Sequence, residues 1–287
     1  MSTLEVIGFW GAAVCYAVGS VLIFGSLALR REKWSSYSVW VASAGVAIHM
    51  VAIVGRWQAA GHFPYMDPYE NTLVGTAVMA SAFLGLAWWK RGFSVTGALV
   101  LPVTLITMGY SFSTYARTSP ITPPYQSSWL VIHVIFAWIT YASYSAVAGL
   151  AVAYILRERA AKRGTEFKLP DWVPSSDRID DISLKLVAFG FLNNAVMIAS
   201  GSIWAYRLWG AFWRWDPVET WSLLTWLAYG FYMHARLTLG WRGRRLAWLA
   251  LAALIGVLMA FWGVQLAPSS YHLFKQIGAG QFMSRPQ

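Results

Sequence analysis

Eight long apolar segments recur along this chain of 287 residues, and they constrain its fold more than any other feature. Each is roughly 18–28 residues long, enough for a helix to cross a hydrocarbon core of about 30 Å. Backbone polar groups in hydrocarbon must satisfy one another, and no barrel-like alternation is seen, so these segments are expected to be helices. We predict an all-α polytopic bundle of about eight transmembrane helices, a single integral membrane domain over 1–287, with spans near 6–29, 36–55, 70–89, 95–112, 129–156, 182–205, 220–239 and 246–267.

The distribution of basic residues predicts the orientation of the bundle. The formal net charge is +10, although only 12% of the residues are charged. In a polytopic membrane protein, Lys and Arg concentrate in cytoplasmic loops, which explains this charge without a nucleic-acid partner. About fifteen basic residues follow the odd-numbered spans, against about six on the other side. Both termini are therefore expected to be extracytoplasmic, with 157–181 as the largest cytoplasmic loop and 206–221 as an extracytoplasmic loop.

A tryptophan-rich segment, Trp209–Trp226, contains five tryptophans, an Asp-Pro and a Glu between two apolar spans. Tryptophan is flat and amphipathic, and it suits a membrane surface or a flat ligand. An ordinary aromatic belt is one interpretation, but the density of tryptophan within a loop favours a flat guest such as heme. Asp216, Pro217 and Glu219 have the spacing of a helix-capping box. Arg207 and Arg214 are candidates to pair with these acids or with heme propionates.

The five histidines fall at different depths. Imidazole is a common axial ligand of heme iron, and ionisable residues within spans are functional candidates. His133, near the outer start of the fifth span, and His272, after the eighth, are expected at the level of the tryptophan-rich segment. His234 is expected about 21 Å deeper, as a core residue or as an inner heme ligand. His49 lies within the second span, and His62 is expected to order an outer loop.

A fixed diheme electron-transfer cytochrome is excluded by histidine spacing. Such proteins carry two histidines about thirteen residues apart on each of two helices. Only His49 and His62 have this spacing, and His62 falls beyond its span, beside Pro64. The single cysteine, Cys15, likewise permits no internal disulfide, so any thiol chemistry needs cysteines from a partner.

Four segments resemble one family. The segment WGAFWRWDPVETWSLLTWLAYGFYMHAR (209–236) resembles the tryptophan-rich "WWD" signature of heme-handling proteins, most closely that of the CcsA/ResC family of system II cytochrome c biogenesis. GHFPYMDPYEN (61–71) is similar to an outer loop of that family. WLVIHVIFAWITYA (129–142) and GVQLAPSSYH (263–272) resemble the segments that carry its two outer histidines, here His133 and His272. The family's histidine within the following span matches His234.

The resemblance implies a protein of the bacterial inner membrane, or of the thylakoid membrane in a plastid, that works at its extracytoplasmic face. It would move heme b outward as a substrate and act as a subunit of a holocytochrome c synthase, a cytochrome c heme lyase. His234 would meet heme at an inner site with a ligand from a CcsB/ResB-type partner. His133 and His272 would then clamp heme at an outer site, against residues of the tryptophan-rich segment: Trp209, Gly210, Trp213, Trp215, Asp216, Pro217, Glu219 and Trp221.

The implied protein substrate is an apocytochrome c with a Cys-x-x-Cys-His motif, whose thiols thioredoxin-like proteins keep reduced. Two other functions stay open. One is heme transfer to a chaperone without covalent attachment, as in the CcmC branch, whose members have six spans rather than eight. The other is a transporter of a different substrate, in which the aromatic residues lie only at the membrane interface.

Overall fold

The computed structural model describes residues 1–121, 123–162 and 169–263, and none of these residues is in a β-strand. Eight long helices confirm the all-α prediction. Short 3₁₀ helices occupy Arg91–Thr96 and Pro123–Tyr125. The long helices are α1 (Thr3–Leu29), α2 (Glu32–Ala60), α3 (Pro68–Trp89), α4 (Gly97–Ser113), α5 (Ser128–Lys162), α6 (Ser176–Trp209), α7 (Pro217–Leu237) and α8 (Arg244–Phe261).

Helices α5 and α6 extend well beyond their predicted spans. They contain 35 and 34 residues, or about 50 Å at 1.5 Å per residue, which exceeds the hydrocarbon thickness. The predicted loop 157–181 therefore contributes residues 157–162 to α5 and 176–181 to α6. The predicted loop 206–221 likewise contributes 206–209 to α6 and 217–221 to α7, which leaves 210–216 as the connection. The predicted spans ended at charged residues, but the observed helices continue past these residues, beyond the hydrocarbon core.

The protein is an integral membrane protein. Within the described ranges, seven helical segments are long and apolar enough to cross a membrane, and α7 is not among them. Polar residues lower the hydropathy of α7, and several of them face the bundle, since Ser222, Thr225, Tyr229 and Tyr232 are buried. Helix α7 therefore places its polar face against protein rather than against lipid.

Polar contacts show that successive helices run in alternating directions. At one end, Arg56 near the end of α2 contacts Glu5 in the first turn of α1 and Glu70 in the first turn of α3. This end also contains the 210–216 connection, and we call it the Trp-rich end. At the opposite end, Arg236 near the end of α7 pairs with Asp180 near the start of α6 at 2.9 Å. Which end faces the cytoplasm stays a prediction from the basic residues.

Arg56 forms the centre of a buried charge cluster at the Trp-rich end. Its side chain is fully buried, and it lies 2.9 Å from a carboxylate oxygen of both Asp67 and Glu70 and 3.8 Å from Glu5. The guanidinium also donates a hydrogen bond of 3.0 Å to the carbonyl of Ala116. One cation thus joins three helices and the connection that follows α4. A buried charge is stable only when it is paired and hydrogen-bonded, so these elements depend on one another.

Small residues bring α3 and α5 together beside this cluster. A Cβ atom at Gly75 would overlap the indole of Trp138, so only glycine lets this ring pack against α3. The Trp138 indole N–H donates to Asn71 Oδ1 at 2.6 Å. Close packing on glycine is common where membrane helices cross. The contact fixes one wall of the cavity described below.

Replacing Arg56 with Gln is expected to destabilise the protein strongly, because it leaves the buried carboxylates of Glu5 and Glu70 and the half-buried one of Asp67 without their cation. Breaking a buried ion pair from one side costs about 3–5 kcal/mol, which predicts a Tm lower by roughly 10 °C. Thermal unfolding of the purified protein in detergent measures the change. Arg117→Gln is the matched control, since Arg117 is exposed at the same end. Equal Tm values for the two variants would contradict the role given to the cluster.

Candidate functional site

A cavity of about 160 Å³ opens at the Trp-rich end, between α3, α4, α5, α6, α7 and α8. His133 of α5 lines it, opposite residues of the 61–71 segment such as Tyr65 and Asn71. Aromatic side chains form much of the remaining wall, among them Trp138 and Trp204. The cavity combines an imidazole, several aromatic rings and a few polar groups, which is the character of a ligand site.

The ring of His133 is oriented by the backbone of α6. His133 Nδ1 lies 2.8 Å from the carbonyl oxygen of Met197. A carbonyl can only accept, so this hydrogen bond requires the proton to be on Nδ1. In the neutral imidazole the lone pair is then on Nε2, and a hydrogen bond of this kind commonly orients metal-binding histidines.

Gly201 makes this contact possible. A Cβ atom at residue 201 would lie 2.6 Å from His133 Nδ1, closer than real Cβ contacts occur. Gly201 lies one helical turn after Met197, so the ring rests on the turn whose carbonyl it binds. A smaller cavity of about 40 Å³ lies on this side of the ring, and Trp213, Glu219 and Ser222 also line it. His133 is therefore shared between the large cavity and the start of α7.

The connection 210–216 is held together by the capping box predicted at the start of α7, which the structure confirms. Asp216 Oδ1 accepts from the Val218 N–H at 2.9 Å. Glu219 Oε2 accepts from the backbone N–H groups of Asp216 and Arg214, at 3.2 and 2.8 Å. Pro217 occupies the first turn of the helix, where its missing N–H is not needed. The carboxylate of Glu219 therefore has a structural role, whatever else it does.

The pairing of Arg207 and Arg214 with these acids or with heme propionates stays a prediction. The guanidinium of Arg214 donates to the carbonyl of Trp209. Arg207, in the last turn of α6, is exposed and has no partner among the described residues. Gly210 has a positive φ of 71° and ends α6, donating its N–H to the Tyr206 carbonyl at 2.8 Å. This left-handed helix end is the reason for a glycine after Trp209.

The tryptophans of the segment take different positions and do not form one surface. Trp213 lines the small cavity, and its ring meets that of Trp215 edge-on, with centroids 5.8 Å apart. Trp215 is 70% exposed and has a positive φ of 58°, which is uncommon for a bulky residue. Trp226 stacks on Phe191 in the helical region, with centroids 4.8 Å apart. Trp221 lies in α7 and is half-buried.

None of the other described histidines, His49, His62 and His234, lines the cavity. His234 is exposed in the last turn of α7, at the opposite end of the bundle. His49 is fully buried in α2 and lies 3.3 Å from the Tyr16 hydroxyl. The Nδ1 and Nε2 atoms of His62 lie 2.9 and 3.3 Å from the carbonyl oxygens of Phe63 and Ser119, so either tautomer donates to the backbone, as expected for a residue that orders its loop. His272 lies outside the described residues.

Several residues that line the cavity were not predicted from the sequence to belong to a site. Tyr65, Asn71, Tyr110 and Trp138 come from helices and connections before α6, and Trp204 precedes the tryptophan-rich segment by more than one turn. The motif GHFPYMDPYEN was the available signal for Tyr65 and Asn71. Burial, with the charge of Asp67 adding to it, raises the pKa of Tyr125 to about 12. This hydroxyl at the cavity wall therefore stays protonated at neutral pH.

Comparison with solved structures identifies a related fold. A protein named cytochrome c heme lyase CcmF superposes with a TM-score of 0.69 at 16% identity, over 92% of this chain and 48% of the other. At this identity the similarity concerns the fold alone. The present chain is similar in extent to about half of CcmF.

Sequence comparison gives the family. The profile of the family described as cytochrome C assembly protein matches residues 70–272. The cytochrome c biogenesis protein CcsA of Guillardia theta is 30% identical over 270 residues, which cover 86% of this chain and 89% of that protein. CcsA of Synechococcus sp. (strain RCC307) is 31% identical over 291 residues, covering 90% and 93%. CcsA of Chlamydomonas reinhardtii is 31% identical over 235 residues, covering 78% and 64%. With this profile match and this identity over most of its length, the chain belongs to the CcsA family of cytochrome c assembly proteins.

Proposed function

We propose that the chain moves heme across the membrane and presents it at the Trp-rich end for covalent attachment to an apocytochrome c. Membership of the CcsA family gives it a role in cytochrome c maturation. The observation that carries the more specific proposal is the position of His133. This imidazole lines an aromatic cavity, with Nδ1 bound to the Met197 carbonyl and with the start of α7 beside it.

His133 is proposed as one axial ligand of heme iron at this outer site. Its Nε2 has the lone pair for coordination, because the proton on Nδ1 is used by the Met197 carbonyl. His272 is proposed as the opposite ligand. Helix α8, the last in the described part of the chain, ends at Phe261, which itself lines the cavity, so the chain leaves α8 at the proposed site. Ten residues then separate Phe261 from His272, a length of chain that can reach back over the cavity.

The size of the cavity bears on how heme would sit. At about 160 Å³, it is smaller than the roughly 300–1,000 Å³ typical of small-molecule sites. We propose that one edge of the macrocycle enters between His133 and the aromatic wall while the rest stays accessible. An accessible edge suits a substrate that must react with a second protein.

His234 is proposed as a ligand at a separate, inner site. Its side chain is exposed on the bundle surface at the opposite end from His133. An exposed histidine can share an iron with a ligand from another subunit, and a CcsB/ResB-type partner is the proposed source. This arrangement would place the inner site at a subunit interface.

The attachment step needs little chemistry from this chain. Each thiol of a Cys-x-x-Cys-His motif adds across one heme vinyl group: the S–H bond breaks, a C–S bond forms, and the proton goes to the other vinyl carbon. No external oxidant or reductant enters this addition. The only cysteine of the chain, Cys15, packs between α1 and α2 beside Gly45, so both thiols come from the substrate. The proposed contribution is orientation and proximity.

Production of a c-type cytochrome tests this proposal as a whole. The chain is expressed with its membrane partner in cells that lack their own maturation system, and heme staining of a denaturing gel reports covalent attachment. Heme-stained cytochrome is expected. Purified protein that carries heme but gives no stained cytochrome would favour the CcmC-like alternative, transfer without attachment. A colourless protein from heme-replete cells would contradict both.

Replacing His133 with Ala is expected to abolish the low-spin heme spectrum of the outer site and to stop cytochrome maturation. Added imidazole is expected to restore part of both, because it supplies the missing ligand without restoring the side chain. Absorption spectra and heme staining are the measurements. His62→Ala is the control, since His62 lies at the same end but binds only loop carbonyls. Normal maturation in the His133→Ala variant would remove this residue as a ligand.

Replacing Gly201 with Ala is expected to push the His133 ring off the Met197 carbonyl, since the new Cβ would lie 2.6 Å from Nδ1. Loss of a ligand's orienting contact weakens metal binding by roughly 10–100-fold, so less low-spin heme should be retained, and imidazole should restore it. Alanine favours a helix over glycine, so the fold should persist. Gly109→Ala is the matched control, because a Cβ there meets nothing within 4 Å. Identical spectra for both variants would show that Gly201 does not position His133.

A further inference from the structure

A second cavity, of about 110 Å³, lies at the end of the bundle opposite His133. It is formed where α2 begins, α3 ends, and the 3₁₀ helix Arg91–Thr96 turns the chain toward α4. Trp172, from the segment before α6, closes one side. None of these residues belongs to the proposed heme sites.

Contacts between the surrounding elements hold the walls of this cavity in place. Ser35 of α2 and Ser94 of the 3₁₀ helix are both buried, and their hydroxyls lie 2.5 Å apart, which joins the two elements. Gly92 lets the segment before α6 approach closely, because a Cβ there would lie 2.8 Å from the Trp172 carbonyl. The walls are therefore fixed by contacts independent of any ligand.

Two opposite charges line this cavity without pairing. Glu32 and Arg91 both contribute to its wall, yet neither makes an ion pair or a side-chain hydrogen bond with another residue in the described part of the chain. Ser36 lies one turn after Glu32 on the same face of α2, and its hydroxyl is likewise unpaired among the described residues. The site thus presents an acid, a base and a hydroxyl to a ligand that carries both charges.

The cavity continues into an apolar, exposed face. Trp40 lies eight residues after Glu32, or about 12 Å further along α2. Trp40 and Trp88 are 62% and 51% exposed, and their rings meet edge-on with centroids 4.6 Å apart. The Trp88 indole N–H donates to Ser43 at 3.2 Å, which holds this pair in place. Charged groups at the helix ends followed by aromatic rings toward the membrane centre match the order of a phospholipid, from headgroup to acyl chain.

We propose that this cavity binds an aminophospholipid, a lipid whose headgroup joins a phosphodiester to a primary ammonium. Arg91 would pair with the phosphate, Glu32 with the ammonium, and the acyl chains would lie against Trp40 and Trp88. The indole N–H of Trp172 is buried without an acceptor among the described residues, and a phosphate oxygen against this wall would supply one. Glu32 distinguishes this ligand from an anionic lipid. The exposed Lys33 and Lys90 nearby would attract an anionic lipid, but such a lipid carries no cation to pair with Glu32.

Native mass spectrometry of the full chain, released from nanodiscs of phosphatidylethanolamine mixed with phosphatidylglycerol, tests this proposal. Wild-type protein is expected to retain one phosphatidylethanolamine in preference to phosphatidylglycerol. Glu32→Gln is expected to lower that preference roughly tenfold, the effect of losing one charge-assisted contact. Lys33→Gln, which removes a neighbouring exposed charge outside the cavity, should not lower the preference. Ser36→Leu, which fills the cavity from an unpaired position, should abolish retention.

Retention of both lipids equally by the wild type, or an unchanged preference in Glu32→Gln, would overturn the proposal. Free phosphoethanolamine is the arm for a soluble ligand: displacement of the lipid at micromolar concentration would assign the site to a small zwitterion instead. Lipid retention does not depend on heme. The proposal therefore stands or fails separately from the function of the Trp-rich end.

Discussion

The buried guanidinium of Arg56 is the interaction on which the Trp-rich end depends. It faces carboxylates from α1 and α3 inside a bundle where water cannot screen or replace them. Because the same group binds Asp67 and the Ala116 carbonyl, it also fixes the connections that follow α2 and α4. Those connections carry residues of the cavity wall opposite His133. These ion pairs, in a region of low dielectric, therefore hold one side of the proposed heme site in position.

The other side of the proposed heme site, around His133, is held by packing and hydrogen bonds. Met197 and Gly201 lie one turn apart on α6, and together they supply an acceptor and an open surface for the His133 ring. The Ser200 hydroxyl donates to the Val196 carbonyl at 2.6 Å and lies 3.1 Å from the Met197 carbonyl. The start of α7 is fixed separately, by Glu219 and its backbone donors. The Met197 carbonyl, the open surface at Gly201 and the fixed start of α7 thus all surround the His133 ring, and none of these contacts requires a bound ligand.

The sequence predicted those features that depend on local pattern. Hydropathy predicted eight helices, and the spacing of Asp216, Pro217 and Glu219 predicted the capping box, both of which are confirmed. Long-range pairing was beyond it. Arg56 comes directly after the predicted second span, 36–55, and no local pattern shows that positions 5, 56 and 70 meet. The lengths of α5 and α6 were underestimated for a related reason, since hydropathy reports the membrane core and not where a helix ends.

Helix α7 links the two proposed heme positions and limits how heme can pass between them. Val218 in its first turn lines the cavity with His133, and His234 lies sixteen residues later, about 24 Å along a straight helix. A macrocycle cannot be held at both ends at once, so the proposed transport requires release from one histidine before capture by the other. The burial of Tyr229 and Tyr232 closes the bundle side of α7 to a guest of this size. The exposed position of His234 therefore favours a heme site on the surface of the bundle rather than inside it, where a partner subunit completes the site.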